Sequence, residues 1–379
     1  MKNTLYLLLI LCLPCLLTAQ QTINASIEHN GLTRDYILYV PATYDAAVAA
    51  PLVLNFHGYT SNATEQMFYG DFRPIADTAG FLLVHPMGTL DVLGNTHFNV
   101  GWGSSNVDDV GFTVALIDSL SANYTIDAAR VYSTGMSNGG FMSYQLACAL
   151  SDRIAAIASV TGTMNITLLN DCNPSHPVPI MEIHGTDDGT VAYNGSFIFA
   201  PVVDVLDFWV NFNNCDSEAV ILDLPDLDPN DGTTVEHQVY ANGDKGSSVE
   251  HYKVFDGGHT WPGAIFNTGV TNQDFKASKE IWRFFSQYNL DDLTSTTSIA
   301  SVKPLNKTWK VYPNPAQAYL VIERKGIDVK PYSISTSLGQ VVASGILQQE
   351  RQEVDISSLA NGMYYLKIAD EVYAIVKNE

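Results

Sequence analysis

The chain has 379 residues, room for one large domain and a small one, and a formal net charge of −21. The excess acid lies entirely in residues 1–306, which hold 11 Lys and Arg against 32 Asp and Glu; residues 307–379 are balanced, with eight of each sign. So acidic a body repels phosphate backbones and anionic lipid, which argues against nucleic acid as a partner and against peripheral membrane binding.

In chain order, Lys2, the apolar run Leu5 to Leu17 and Thr18-Ala19 have the pattern of a secretory signal peptide over residues 1–19. No later stretch is long enough for a membrane-spanning helix, so no membrane insertion is expected. Strands are predicted at Thr22–Glu28 and Arg34–Val40, joined through Asn30-Gly31, a hairpin signal. Pro51–Phe56 and Phe81–Val84 are continuous apolar runs suited to strands buried on both faces. Asp108 or Asp109 caps a helix reaching Asn123, with Val110, Val114, Leu116, Ile117 and Leu120 inward.

The β-prone run Arg130–Thr134 leads into Gly135-Met136-Ser137-Asn138-Gly139-Gly140, and Phe141–Ala147 follows as a helix. Strand, Gly-x-Ser-x-Gly, helix is a nucleophile elbow. Small residues allow a sharp turn that thrusts the serine hydroxyl out at a helix N-terminus, where free N–H groups favour a developing negative charge. Further strands are predicted at Ile154–Val160, Pro179–His184, Val235–Tyr240 and His251–Phe255, and helices at Val202–Phe212 and Ala277–Tyr288. This alternation predicts an α/β fold, a mostly parallel sheet with helices on both faces and its chemistry at the C-terminal strand ends.

A serine needs a base, and the base needs an acid to hold its tautomer. His184-Gly185-Thr186-Asp187-Asp188-Gly189 follows a strand and offers two carboxylates, of which Asp188 is the expected acid and Asp187 a turn residue. Gly257-Gly258-His259-Thr260-Trp261-Pro262-Gly263 follows another strand and supplies the expected base, His259. The predicted triad is thus Ser137, Asp188 and His259. Its oxyanion hole is assigned to the backbone N–H groups of Asn138 and Tyr59, with Gly58 the rival for the second, and His57 orders that loop. Trp261, beside the base, either walls the substrate pocket or packs in the core. Trp102 lies in one of the loops that shape the pocket.

Loss of the signal peptide leaves Cys148, Cys172 and Cys215, none with metal-ligand spacing. One disulfide is expected, Cys148–Cys172, since both flank the segment after the elbow helix. Asp226–Gly232 has the look of a calcium loop, but its glycine is one place late and no glutamate closes it, so a solvated acidic turn is predicted. No metal and no cofactor is expected. A polar linker, 290–306, precedes short alternating strands that predict a small all-β sandwich.

Together, Val107–Phe112, Asp127–Tyr132, the elbow, Ala155–Ala158, His184–Asp188 and Gly257–Gly263 resemble the polyhydroxybutyrate depolymerase-like esterases, which are close to the feruloyl and acetylxylan esterases. The likeness spans residues 30 to 288. It implies an α/β-hydrolase fold over 20–289, the Ser137–Asp188–His259 triad, and a polyester or esterified polysaccharide as substrate. Where that family often has more glycine after His-Gly, this chain has Tyr59-Thr60-Ser61. In the tail, Val311–Ala316, Gly339–Val342 and Val354–Tyr365 resemble a type IX secretion (Por) sorting domain over 307–379. That likeness implies a Bacteroidetes-type bacterium and export across the outer membrane by the type IX machinery.

Overall fold

Asn30 and Gly31 both take positive φ, 50° and 77°, and close the tight turn between β1 (Gln21–His29) and β2 (Leu32–Val40). The computed structural model describes residues 20–102, 105–266, 269–295, 309–324, 329–336, 340–368 and 371–378. The expected signal peptide, and residues 296–306 of the expected linker, lie outside them.

The chain continues through β3 (Ala50–Phe56), α1 (Ala63–Tyr69), α2 (Arg73–Ala79), β4 (Leu82–Pro86), the short pair β5 (Thr89–Leu90) and β6 (Thr96–His97), and α3 (Asp109–Asn123). Then come β7 (Ile126–Met136), α4 (Asn138–Ala149), β8 (Ala156–Val160), α5 (Ile166–Asp171), β9 (Ile180–Gly185) and α6 (Val202–Phe212). Last in this unit are β10 (Val220–Asp223), β11 (Thr234–Tyr240), β12 (Val249–Phe255), α7 (Ala277–Phe285) and α8 (Leu290–Thr294). The ten-stranded sheet has the order β1-β2-β4-β3-β7-β8-β9-β12-β11-β10. Its six central strands, β4 to β12, run parallel, and antiparallel pairs close both edges.

Period-two alternation divides the core between the two faces. Leu52, Leu54 and Phe56 of β3 face α3, α4 and α6 with Leu116, Leu146 and Trp209, while Val53 faces α7 with Ile281, Phe284 and Phe285. Asp108 caps α3 by accepting from Gly111 N–H at 2.8 Å, and Asp109 pairs with the buried Arg34 at 2.6 Å. The sulfurs of Cys148 on α4 and Cys172 after α5 are bonded, and Cys215 is free.

Several short elements escaped the hydrophobic pattern: α1, α2 and α5 are each only six or seven residues long, too short to show a helical period, and β5, β6 and β10 are only two to four. α8 falls at the start of the expected linker but buries Leu290 and Leu293, and the first unit runs to Thr294.

The second unit comprises β13 (Lys310–Tyr312), β14 (Tyr319–Glu323), β15 (Lys330–Thr336), β16 (Val341–Leu347), β17 (Arg351–Asp355), β18 (Gly362–Ile368) and β19 (Glu371–Lys377). Sheets of order β13-β14-β17 and β16-β15-β18-β19 share one core of alternating residues, including Leu320, Ile322, Ile334, Leu366 and Ile375.

Candidate active site

The turn from β7 into α4 is tight because two glycines leave no side chain in the way. A Cβ at Gly135 would stand 2.6 Å from the Phe56 carbonyl oxygen, and one at Gly139 only 2.2 Å from it. Ser137 sits between them at φ 54°, ψ −119°, a strained backbone for a residue with a side chain. Its N–H donates to the Val160 carbonyl of β8 at 2.8 Å, and its own carbonyl accepts from Phe141 N–H at 3.0 Å. Ser137 is therefore the residue from which α4 springs, with the helix N-terminus behind its hydroxyl.

Two loops at the ends of neighbouring strands bring the other groups. After β9, Asp188 is buried; its Oδ1 accepts from the N–H groups of Thr190 and Val191 at 2.8 Å each. Its Oδ2 lies 2.7 Å from Nδ1 of His259, in the loop after β12. The carboxylate fixes Nδ1 as the protonated nitrogen and leaves Nε2 with the lone pair. Asp187 is exposed, and its backbone N–H donates to the Gly257 carbonyl, so of the two carboxylates Asp188 is the one that reaches the imidazole. Burial would raise the Asp188 carboxyl, but hydrogen bonds from His184 and His259 hold it well below the usual range.

Ser137 and His259 line one cleft of about 800 Å³, with Gly58, Tyr59, Phe68, Tyr69, Met136 and Phe266. Among the described residues no protein group takes the Ser137 hydroxyl as a hydrogen-bond partner. Such serine–imidazole bonds commonly tighten only when substrate is present.

The expected oxyanion donors flank the serine. Asn138 is the first residue of α4, where a backbone N–H has no partner within the helix. Its side chain is locked elsewhere, accepting from Phe98 N–H at 2.7 Å and donating to Phe98 O at 3.0 Å. Tyr59 follows Gly58, where a Cβ would come within 3.4 Å of Ser137 Cβ. The Tyr59 hydroxyl donates to Asp91 at 2.6 Å and accepts from Asn95 at 2.8 Å, tying its turn to the β5–β6 hairpin. His57 is buried, with Nε2 accepting from Gly88 N–H at 2.9 Å and Nδ1 2.7 Å from Gly58 O. Burial pushes it down to about 4, so it is a neutral brace for the loop.

The two tryptophans part company. Trp261 does not wall the cleft: it is 1% exposed, its ring packs edge-on to Phe72, and Nε1 donates to Ser278 at 3.2 Å. α7 and the α1–α2 turn cover it, leaving the cleft wall to Phe68, Tyr69 and Phe266, which carried no motif in the sequence. Trp102 is half-buried against Phe141 and lines a second cavity of about 320 Å³ that shares Tyr59 and meets Asn138.

No metal cage forms around Asp226–Gly232. Asp231 accepts from Thr233 N–H and Gln273 N–H, Asp228 accepts from Asn230 N–H, and among the described residues no cluster of three His, Cys, Asp or Glu side chains could hold an ion.

A parallel sheet with helices on both faces, a strained serine at the head of a helix, and an acid and a histidine after the later strands β9 and β12 together define an α/β-hydrolase domain. Residues 78–172 match the prolyl oligopeptidase family model, and residues 310–378 match the secretion system C-terminal sorting domain, which marks the chain for secretion or the cell surface. The chain is similar to a bifunctional acetylxylan esterase/xylanase of Neocallimastix patriciarum, 27% identical over 281 residues, or 73% of this chain. It is also similar to feruloyl esterase B of Piromyces equi, 29% identical over 196 residues, or 49% of this chain. It spans 36% of the length of each of these relatives. Among solved structures, acetyl xylan esterase from Aspergillus awamori shares the fold at 13% identity and a TM-score of 0.52, over 71% of this chain and 99% of that one.

Proposed function

We propose that the chain is a secreted carboxylic ester hydrolase that works through an acyl-enzyme on Ser137. One observation carries this reading. Ser137, held in a strained turn at the head of α4, opens into the same cleft as His259, and Nδ1 of His259 is 2.7 Å from the buried Asp188. In the proposed sequence Ser137 Oγ attacks the ester carbonyl while its proton passes to His259 Nε2. The carbonyl oxygen becomes an oxyanion that accepts from Asn138 N–H and Tyr59 N–H. The intermediate collapses as His259 returns the proton to the departing alkoxide, and water repeats the steps to free the acid. Asp188 holds the tautomer and stabilises the imidazolium.

The chain is of the polyhydroxybutyrate depolymerase-like type in its motifs, yet relatives named for acetylxylan and ferulate favour an esterified plant polysaccharide over a polyester. A cleft of about 800 Å³ walled by aromatic side chains suits an acyl group much larger than acetyl. Trp102, on the second cavity, is assigned to the alcohol side of the ester. The type IX machinery is the proposed partner of the tail.

The test is a panel of methyl ferulate, acetylated xylan and polyhydroxybutyrate film with the full chain. Methyl ferulate should turn over fastest, and Ser137→Ala should abolish turnover and labelling by an organophosphonate. An unchanged rate in Ser137→Ala would overturn the assignment. The match of residues 78–172 to a peptidase family supports a second reading, a peptidase on the same frame. Cleavage of peptide anilides without cleavage of esters would favour it.

A further inference from the structure

Behind Asp188 lies a buried pair that neither the elbow nor the triad accounts for. β9 reads Ile180-Met181-Glu182-Ile183-His184, so alternation sets Glu182 and His184 on one face. Both are fully enclosed, at 1% and 0% exposure. His184 Nδ1 is 2.8 Å from Glu182 Oε1. Its Nε2 is 2.8 Å from the Val191 carbonyl oxygen and 3.4 Å from Asp188 Oδ2. Oδ2 is also the oxygen that His259 Nδ1 meets at 2.7 Å. Two imidazoles thus share a single carboxylate oxygen.

Hydrogen-bond accounting assigns the protons. A carbonyl only accepts, so Nε2 of His184 carries hydrogen. Burial raises the Glu182 carboxyl, but the His184 ring and the Tyr144 hydroxyl, 2.8 Å from its other oxygen, both pull against that; with these two donors on it the carboxylate is ionised and Nδ1 is the donor between the pair. With hydrogen on both nitrogens, His184 is a cation between two carboxylates. A neighbouring histidine shows the contrast. His251 donates from Nδ1 to the Glu182 carbonyl at 3.0 Å, and its Nε2 is 2.9 Å from the Tyr193 hydroxyl, which can donate. It is neutral, pushed down to about 3 by burial. The other charges facing this cluster are more distant. Lys253 of β12 lies over the Tyr193 ring at 5.7 Å, and His237 of β11 is engaged with Glu250. Burial works against a charge on His184, but the bonds and charges of Asp188 and Glu182 outweigh it and hold the group up at about 10.

We propose that His184, kept cationic by Glu182, is a positioning residue that sets the basicity of His259 through the shared oxygen of Asp188. The proposal rests on the triad reading given above. When His259 takes the serine proton, Asp188 has a cation on each side. The standing charge of His184, on the other side of the same oxygen, disfavours the second. Removing that charge therefore raises the His259 pKa, and the base is lost at a higher pH as acidity increases.

The full chain tests this by turnover and by ring-nitrogen NMR. In His184→Gln the acidic limb of kcat/KM, and the His259 titration itself, should each move up by about one pH unit, with KM little changed. Glu182→Gln should move both the same way by less. A merely structural role would lower thermal stability without moving the limb, and an unmoved limb in folded variants overturns the proposal. If neither variant folds, the parent chain decides: His184 doubly protonated from pH 5 to 8 supports it, and a neutral ring overturns it. If no ester turns over and the His259 titration still shifts, the hydrolase reading fails and the positioning role stands.

Discussion

Asp188→Asn is the sharpest single perturbation of the site, because the surrounding donors dictate how the new amide must lie. Thr190 and Val191 both direct N–H groups at Oδ1 from 2.8 Å, so the amide oxygen takes that place. The NH2 group then falls where Oδ2 was, 2.7 Å from His259 Nδ1 and 3.4 Å from His184 Nε2. A donor there forces Nδ1 of His259 to accept, which puts the ring hydrogen on Nε2, facing the serine. That nitrogen can no longer take a proton. Loss of the base by tautomer reversal costs about 10⁴ in kcat, or about 5 kcal/mol of transition-state stabilisation. We expect kcat for methyl ferulate or a short aryl ester to fall about 10⁴-fold with KM nearly unchanged. Circular dichroism and a thermal melt establish that the variant is folded. Asp187→Asn is the control, since its carboxylate is exposed, and its rate should stay within about twofold of the parent. A folded Asp188→Asn that kept more than a tenth of the parent rate, or an Asp187→Asn that lost it, would refute the reasoning.

The remaining predictions are smaller in reach. Phe68→Ala with Phe266→Ala should raise KM about tenfold without lowering the melting temperature, because both rings line the cleft and are 48% and 61% exposed. Trp261→Phe should do the reverse, costing about 2 kcal/mol in denaturant unfolding while leaving KM alone, since its indole is in the core. Replacing Cys148 and Cys172 together by serine opens a loop of sequence separation 24 and should cost about 3 kcal/mol, measured the same way. Acid should destabilise the fold through Glu250: burial would raise its carboxyl, but the Arg283 charge and a bond from His237 hold it at about 2, below the ordinary 4.5. A depressed folded-state value gives stability that is present above the unfolded pKa and lost as pH falls from about 4.5 through 2. The melting temperature should drop over that window, and Glu250→Gln should lower it at neutral pH and flatten the drop.

The parallel core was legible because its strands are buried on both faces, so Pro51–Leu54 in β3 and Phe81–Val84 leading through β4 appear as unbroken apolar runs that no amphipathic helix would show. The serine and histidine were legible for a related reason. Glycine on both sides of each marks a backbone with no room for side chains, and the order along the chain matched an acid between them. The short helices α1 and α2 were not, and with them went the cleft wall, since Phe68 and Tyr69 sit on α1 with nothing to distinguish them from any exposed aromatic pair. For Trp261 the sequence leaves pocket wall and core both open, and the structure takes the core. Its glycine-rich neighbourhood suggests an open loop, whereas contacts with Phe72 and Ser278, distant in sequence, enclose it. Glu182 and His184 were not singled out in the sequence, although two polar residues spaced by two in a buried parallel strand are a signal that compensating partners must exist.

That last pattern connects stability to chemistry. A carboxylate and an imidazolium taken from water into the middle of a sheet together cost several kcal/mol, and an apolar pair of the same volume would pack there more favourably. The cost is offset only because each polar atom meets a partner: Tyr144 and His184 on Glu182, and Val191 and Asp188 beyond His184. Those partners join α4, which carries Ser137 at its head, to the loop that carries Asp188. The buried charges therefore tie the helix behind the nucleophile to the acid behind the base. A change that frees Asp188 from this chain disturbs the orientation of His259 as well as its charge. This is why an apolar replacement such as Glu182→Leu with His184→Leu, even if it raised the melting temperature, should leave an enzyme whose acidic limb has moved upward.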